Sequence, residues 1–112
     1  MKGRFEAYEV ALQVAQALTP IIAAITQHDP DLAKQMRKAT SSVVLNLAEG
    51  ACRTGRDRIH HYRVATGSAA EARSGVRLAL VWHYLGADLA GAAEPLLDRQ
   101  AAVLYRLLHP KR

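Results

Sequence analysis

The chain has one cysteine, Cys52. It can therefore form no internal disulfide and no cysteine-rich zinc site, and a lone thiol suits a reducing, cytoplasmic setting. Aromatic residues are scarce, at 5% of 112, although half of the residues are hydrophobic and alanine is abundant. Strands lean on aromatic and β-branched side chains, so this composition argues against a sheet and for closely packed helices. No apolar run approaches the roughly 18 residues of a membrane span. No charged segment leads into a long apolar stretch, so a signal peptide is not expected either. A nucleophile elbow, a phosphate loop and a glycine-rich dinucleotide turn are all missing, and Ser41 and Ser42 have no credible base. Acidic residues are the minority: the formal charge is +5, which suits an anionic partner or serves solubility alone. With no repeat, low-complexity run or linker, residues 1–112 read as one domain.

What is present is helical periodicity. Phe5, Tyr8, Leu12, Ala15, Leu18, Ile22 and Ile25 recur at steps of three and four, predicting a helix over residues 5–26 with one buried face. Pro20 falls inside it and should kink it, unless Thr19 caps a restart. Asp29, Pro30 and Asp31 then read as N-cap, first helical residue and dipole partner of a second helix. That helix buries Leu32, Met36, Ala39, Val43, Leu47 and Gly50. Beside this stripe runs a polar one, with Gln35, Ser42 and Glu49 spaced by seven and Asn46 and Arg53 likewise. Such a border predicts hydrogen bonds between helices.

Residues 53–56 form a tight turn with Gly55 supplying unusual backbone angles. Folding back between Thr54 and Gly55 brings Ser42 level with Gly67 and Lys38 level with Glu71. This predicts a close backbone approach at Ser42/Gly67 and a Lys38–Glu71 ion pair. The third helix, residues 56–85, has two apolar-leaning faces. One carries Ile59, Tyr62, Ala65/Thr66, Ala69, Ala72, Val76, Leu80 and His83; the other carries Val64, Gly67, Glu71, Ser74, Leu78, Trp82 and Leu85. A helix at the surface of a four-helix monomer should bury one stripe. Either this helix is central, or its second face, centred on Leu78, Trp82 and Leu85, meets another copy of the chain, and self-association is the better fit. Gly86 as C-cap and Asp88 as N-cap would open a fourth helix, residues 89–108, whose broad apolar stripe is Leu89, Ala93, Leu96/Leu97, Gln100, Val103/Leu104 and Leu107/Leu108. A basic tail, residues 109–112, follows. The fold class is an all-α antiparallel up-and-down four-helix bundle, fit to assemble into a ring.

Catalysis has little to stand on. Glu49 and Glu71 are the acidic residues expected near the interior, and each has a basic neighbour, Arg53 and Lys38. Ion-paired structural carboxylates are a simpler reading than an acid–base pair. His60 and His61 point about 100° apart on a helix and do not chelate one ion together, and His61 with Glu49 is a loose match for a metal site. His83 reads as a core or interface histidine. Neither an enzyme, a cofactor nor a metal is expected. The arginines are the better lead. Arg53, Arg56 and Arg58 cluster at one end, Arg56, Arg63 and Arg77 share a side of the third helix, and Lys34, Arg37 and Lys38 line the second. The planar guanidinium fork suits phosphate, whereas no helix-turn-helix spacing or stacking platform for reading bases is visible.

The segments Leu32-x-x-Gln35-Met36-Arg37-Lys38-Ala39, Ser42-Val43-x-x-Asn46-Leu47-Ala48-Glu49-Gly50-x-x-Arg53 and Ala65-x-Gly67-Ser68-x-x-Glu71 resemble the four-helix-bundle proteins encoded in intervening sequences of bacterial large-subunit ribosomal RNA genes. That family in turn is similar to accessory variability proteins of diversity-generating retroelements. The departures are mild: Lys38 where arginine is common, and Val43 and Leu47 where isoleucine is. The resemblance implies a bundle assembling into a ring, commonly a homopentamer. For the retroelement relatives it implies a cationic barrel that binds nucleic acid and a reverse transcriptase. Ser42, Asn46, Glu49, Gly50, Gly67, Ser68 and Glu71 carry the motif and read from chemistry alone as packing and interhelical polar contacts. Two functions follow as expectations: a non-enzymatic basic adaptor holding RNA or DNA through Arg53, Arg56, Arg58, Arg63 and Arg77, or a structural homo-oligomer with no nucleic-acid role. A small hydrolase or metal protein built on Glu49 and the His60–His61 pair ranks third.

Overall fold

A computed structural model describes residues 5–111. Its elements are α1 (Glu6–Thr26), α2 (Pro30–Ala51), α3 (Gly55–Val81) and α4 (Ala87–Leu108). Among the described residues no strand is present. The links span residues 27–29, 52–54 and 82–86, short enough to force each helix antiparallel to the one before it. Each helix packs on its chain neighbours, and α1 closes on α4. The bundle measures 43 × 23 × 21 Å, its long dimension set by α3 at about 1.5 Å per residue.

Beyond Tyr62, the buried side of α3 is built mostly from small residues: Ala65, Ala69, Ala72, Gly75 and Ala79, with Val76. Its neighbours therefore come in close, and the bulk of the core is supplied by Leu18, Ile21 and Ile25 of α1, Met36 and Leu47 of α2 and Leu104 of α4. Two glycines mark the tightest α2–α3 contacts. A Cβ on Gly75 would stand 2.6 Å from Met36 Cγ, and one on Gly50 would stand 2.6 Å from Tyr62 Cε1. The expected approach at Ser42/Gly67 is displaced to these two points. Gly67 is exposed, and a Cβ there would meet nothing within 4 Å.

Local signals explain the helix ends. Asp29 caps α2, its side chain accepting from the Leu32 N–H at 3.0 Å, with Pro30 next to it. Gly55 adopts φ +59°, the left-handed conformation the turn required. Pro20 does not interrupt α1. It lies on the solvent side, where the carbonyl one turn back can be hydrated. The first turns of α1 are rotated from expectation: Ala7, Val10, Ala11 and Val14 enter the core and Leu12 stays 43% exposed. The 18-residue window of α1 is also long and apolar enough by composition to cross a membrane, contrary to the reading of the sequence. In the bundle its apolar side forms the core.

The end of α3 needed the most correction. The helix stops at Val81 rather than continuing to 85. His83 takes φ +61° and hands its N–H to Leu80 O at 3.1 Å, while Tyr84 N–H reaches Ala79 O at 2.8 Å. This is the paired hydrogen-bond pattern of a Schellman stop, with histidine where glycine is usual. His83 is thus an exposed turn residue and not a core histidine. Gly86, expected to end α3, is instead the N-cap of α4, and Asp88 lies in that helix's first turn. The turn gathers aromatics: Tyr84 stacks on His28 at 5.4 Å and takes the edge of Trp82 at 5.7 Å. Of the basic tail, Arg112 lies outside the described residues.

Candidate nucleic-acid interface

The motif residues separate into two groups. Ser42, Asn46 and Ser68 meet across α2 and α3. Ser68 Oγ donates to Ser42 Oγ at 2.7 Å, and Asn46 Nδ2 donates to the Ser42 carbonyl at 2.9 Å and to its hydroxyl at 3.1 Å. Asn46 Oδ1 is then left as an acceptor, which His61 Nδ1 meets at 2.9 Å and must meet as N–H. The polar border thus forms interhelical hydrogen bonds as its spacing suggested, with His61 bound to Asn46 and not to Glu49. Gly50 belongs to the same seam through Tyr62. Burial raises the Tyr62 phenol above its ordinary pKa, and the nearby Arg58 charge opposes this more weakly.

Glu49, Gly67 and Glu71 lie on the outside. Glu49 pairs with Arg53 at 2.9 Å, as expected. Lys38 and Glu71 are both exposed, and no ion pair among the described residues joins them. Neither carboxylate sits near the interior where acid–base chemistry was weighed. Among the described residues no cluster of three His, Cys, Asp or Glu could hold a metal.

The five arginines chosen from the sequence do not act alike. Arg53 is held by two carboxylates, Glu49 and Asp57 at 2.8 Å, whose hydrogen bonds and charges raise its already high pKa. Arg58 turns inward to the end of α2 and donates to Gly50 O at 3.1 Å and Ala51 O at 3.3 Å. It thereby satisfies carbonyls that the helix leaves open. Arg56 and Arg63 stand free, lining an open recess of about 660 Å³ with Gly55, Arg58 and Ile59. Arg77 is exposed further along α3. No ion pair among the described residues takes up Arg56, Arg63, Arg77, Lys34, Arg37 or Lys38.

Charge is segregated in a way the sequence did not announce. The α2–α3 hairpin, residues 30–81, carries nine Lys/Arg against four Asp/Glu, whereas the other described residues carry three against six. One side of the bundle is cationic and the other acidic. The signal was available had charges been counted by hairpin. Arg73 is an exception within α3. It faces α4 and binds Glu94 at 2.6 Å and Asp98 at 2.5 Å. Its pKa is raised chiefly by the Asp98 hydrogen bond, against the opposing effect of burial. The surface residues expected at a contact between copies are mixed. Trp82 is 51% exposed with Val81 at 69% beside it, while Leu78 and Leu85 are half-buried and Leu85 packs on the chain's own core.

Fold and surface together define a class: an all-α four-helix bundle with one cationic hairpin. Residues 4–106 match the 23S rRNA-intervening sequence protein family, and the chain belongs to it. Its fold is also that of a solved Bacteroides thetaiotaomicron protein of unknown function from the S23 ribosomal protein family. The two superpose with a TM-score of 0.80 at 15% identity, over 91% of this chain and 97% of the other. No curated protein matches.

Proposed function

We propose that the protein is a non-enzymatic basic adaptor that self-associates and holds nucleic acid through arginine and lysine contacts to phosphate. The observation that carries this reading is the one-sided charge: the α2–α3 hairpin holds the excess of cations, and seven of its nine have no carboxylate partner among the described residues, six of them once Arg58, which binds backbone carbonyls, is set aside. Free guanidinium groups on one face are the footprint of a partner read by its backbone and not by its bases. The candidates are Arg56, Arg63 and Arg77 on α3, joined by Lys34, Arg37 and Lys38 on α2. Arg53 and Arg58 serve the turn first. Likeness to the retroelement accessory proteins adds a nucleic-acid enzyme, such as a reverse transcriptase, as a further partner. A ring of copies, five by that likeness, would repeat the cationic face around an axis.

The test is a binding titration with RNA and with DNA at two salt concentrations. Binding at low salt that weakens steeply as salt rises supports the reading; no binding at low salt, or binding indifferent to salt, overturns it.

A second reading is a purely structural homo-oligomer. It is favoured by the exposure of Trp82 and Val81 at the end of α3. Light scattering should then report a multimer that Trp82→Arg dissolves, with no nucleic-acid affinity; a wild-type monomer removes it.

A further inference from the structure

We propose that the recess at the first turns of α3 seats the phosphorylated end of a nucleic-acid strand. The inference rests on the nucleic-acid reading above and narrows its ligand from any stretch of backbone to a terminus carrying a phosphomonoester. The recess holds about 660 Å³ and is lined by Gly55, Arg56, Arg58, Ile59 and Arg63, a size within the range of small-molecule sites. Three of these five residues are arginines and none is acidic. Asp57, the carboxylate nearest in sequence, is turned to Arg53 at 2.8 Å.

The three guanidinium groups differ in what they have left to give. Arg56 and Arg63 are exposed and enter no ion pair among the described residues. Arg58 spends Nε on Gly50 O and Nη2 on Ala51 O, which fixes the side chain and leaves Nη1 without a partner among the described residues. Arg56 and Arg63 are seven residues apart, about 10 Å along the helix axis, with half-buried Ile59 between them. That separation suits consecutive phosphates of one strand. Arg56, with Arg58 Nη1, takes the terminal phosphate; Arg63 takes the next one along, and the intervening sugar lies over Ile59. Two features favour a chain end over an interior stretch. The free arginines of α3 run Arg77, Arg63, Arg56 toward its N-terminus and stop there, because Arg53 beyond them is already held by Glu49 and Asp57. A strand following that track runs out of contacts at the recess. A terminal monoester also carries about −1.5 to −2 charge and three acceptor oxygens, so it gains most where more than one guanidinium is within reach.

The test takes one single-stranded sequence, made as RNA and as DNA and labelled at an internal base, with a 5′-phosphate, a 3′-phosphate or neither. Each form is titrated into the full-length protein at one low salt concentration and followed by fluorescence anisotropy. One of the phosphorylated forms should bind about tenfold tighter than the unphosphorylated strand. Arg56→Gln removes no ion pair, so it should melt with wild type and bring that ratio close to one. Lys34→Gln, at the far end of the hairpin, should weaken all three forms by the same factor and leave the ratio intact. Equal affinity for the three forms, or a preference that survives Arg56→Gln, overturns the proposal while backbone binding stands. If no form binds, both readings fall. Adenosine monophosphate competing as strongly as the phosphorylated strand overturns the strand end as ligand in favour of a free nucleotide.

Discussion

Gly50 lies against the ring of Tyr62, so closely that an added Cβ would stand 2.6 Å from Cε1 and 2.9 Å from Cδ1. The ring is not free to retreat: Tyr62 is 7% exposed, and Phe5 packs on it with centroids 6.0 Å apart. Gly50→Ala should therefore destabilise the bundle by about 1–2 kcal/mol, the overpacking cost outweighing the better helix propensity of alanine. Gly67→Ala should do the reverse. The site is helical, exposed and empty around its Cα, so alanine should add about 0.5–1 kcal/mol. Chemical denaturation of both variants checks the pair. A loss at Gly67 would mean that another chain lies against this face.

The two arginines beside the turn should part company. Arg58→Met removes the donors to Gly50 O and Ala51 O and should cost about 1–2 kcal/mol of stability, because the carbonyls are partly buried. Arg56→Met and Arg63→Met remove no ion pair and should leave the unfolding free energy within about 0.5 kcal/mol of wild type. They should nonetheless weaken RNA or DNA binding and flatten its salt dependence by about one unit of slope each. Paired thermal melts and salt titrations read the difference.

His83 ends α3 in a conformation that costs an L-residue about 1–2 kcal/mol and glycine almost nothing. His83→Gly should raise stability by about 0.5–1 kcal/mol, after the greater freedom of glycine in the unfolded chain is set against the relief. A rise of a few degrees in Tm is the expected readout.

Alkaline pH should loosen the bundle through Tyr62. Its folded pKa is raised above the ordinary 10.0 because burial disfavours the phenolate. Above pH 10 the unfolded chain gives up this proton while the folded chain retains it. The unfolded state then binds fewer protons, and stability falls as pH rises. The contribution is intact below pH 10 and lost through the window above it. Tyr62→Phe, which keeps the ring against Gly50, should flatten that part of the stability curve, measured by melts between neutral pH and pH 11.

The one-dimensional pattern decided the helix count, the cap at Asp29, the turn at Gly55 and the inner stripe of α2, because each depends on residues within a turn of one another. The polar seam was half legible. Spacing by seven marked Ser42 and Asn46, but only the crossing of α2 over α3 chose Ser68 and His61 as their partners, one to two residues from the level that a simple fold-back gives. Glu49 shares that spacing and Gly67 and Glu71 share a three-and-four stripe on α3, yet all three face solvent, since periodicity does not say which edge of a stripe turns inward.

Sequence alone thus determined a basic all-α bundle and where its first two turns fall, since propensity, capping and hydrophobic period are local. Tertiary structure decided the rest. It gave Arg53 and Arg58 to the turn while freeing Arg56 and Arg63, turned Arg73 toward Glu94 and Asp98 of α4, and left Gln100 Oε1 buried without a partner. These outcomes depend on which distant side chains arrive at the same place, and that is a property of packing in three dimensions.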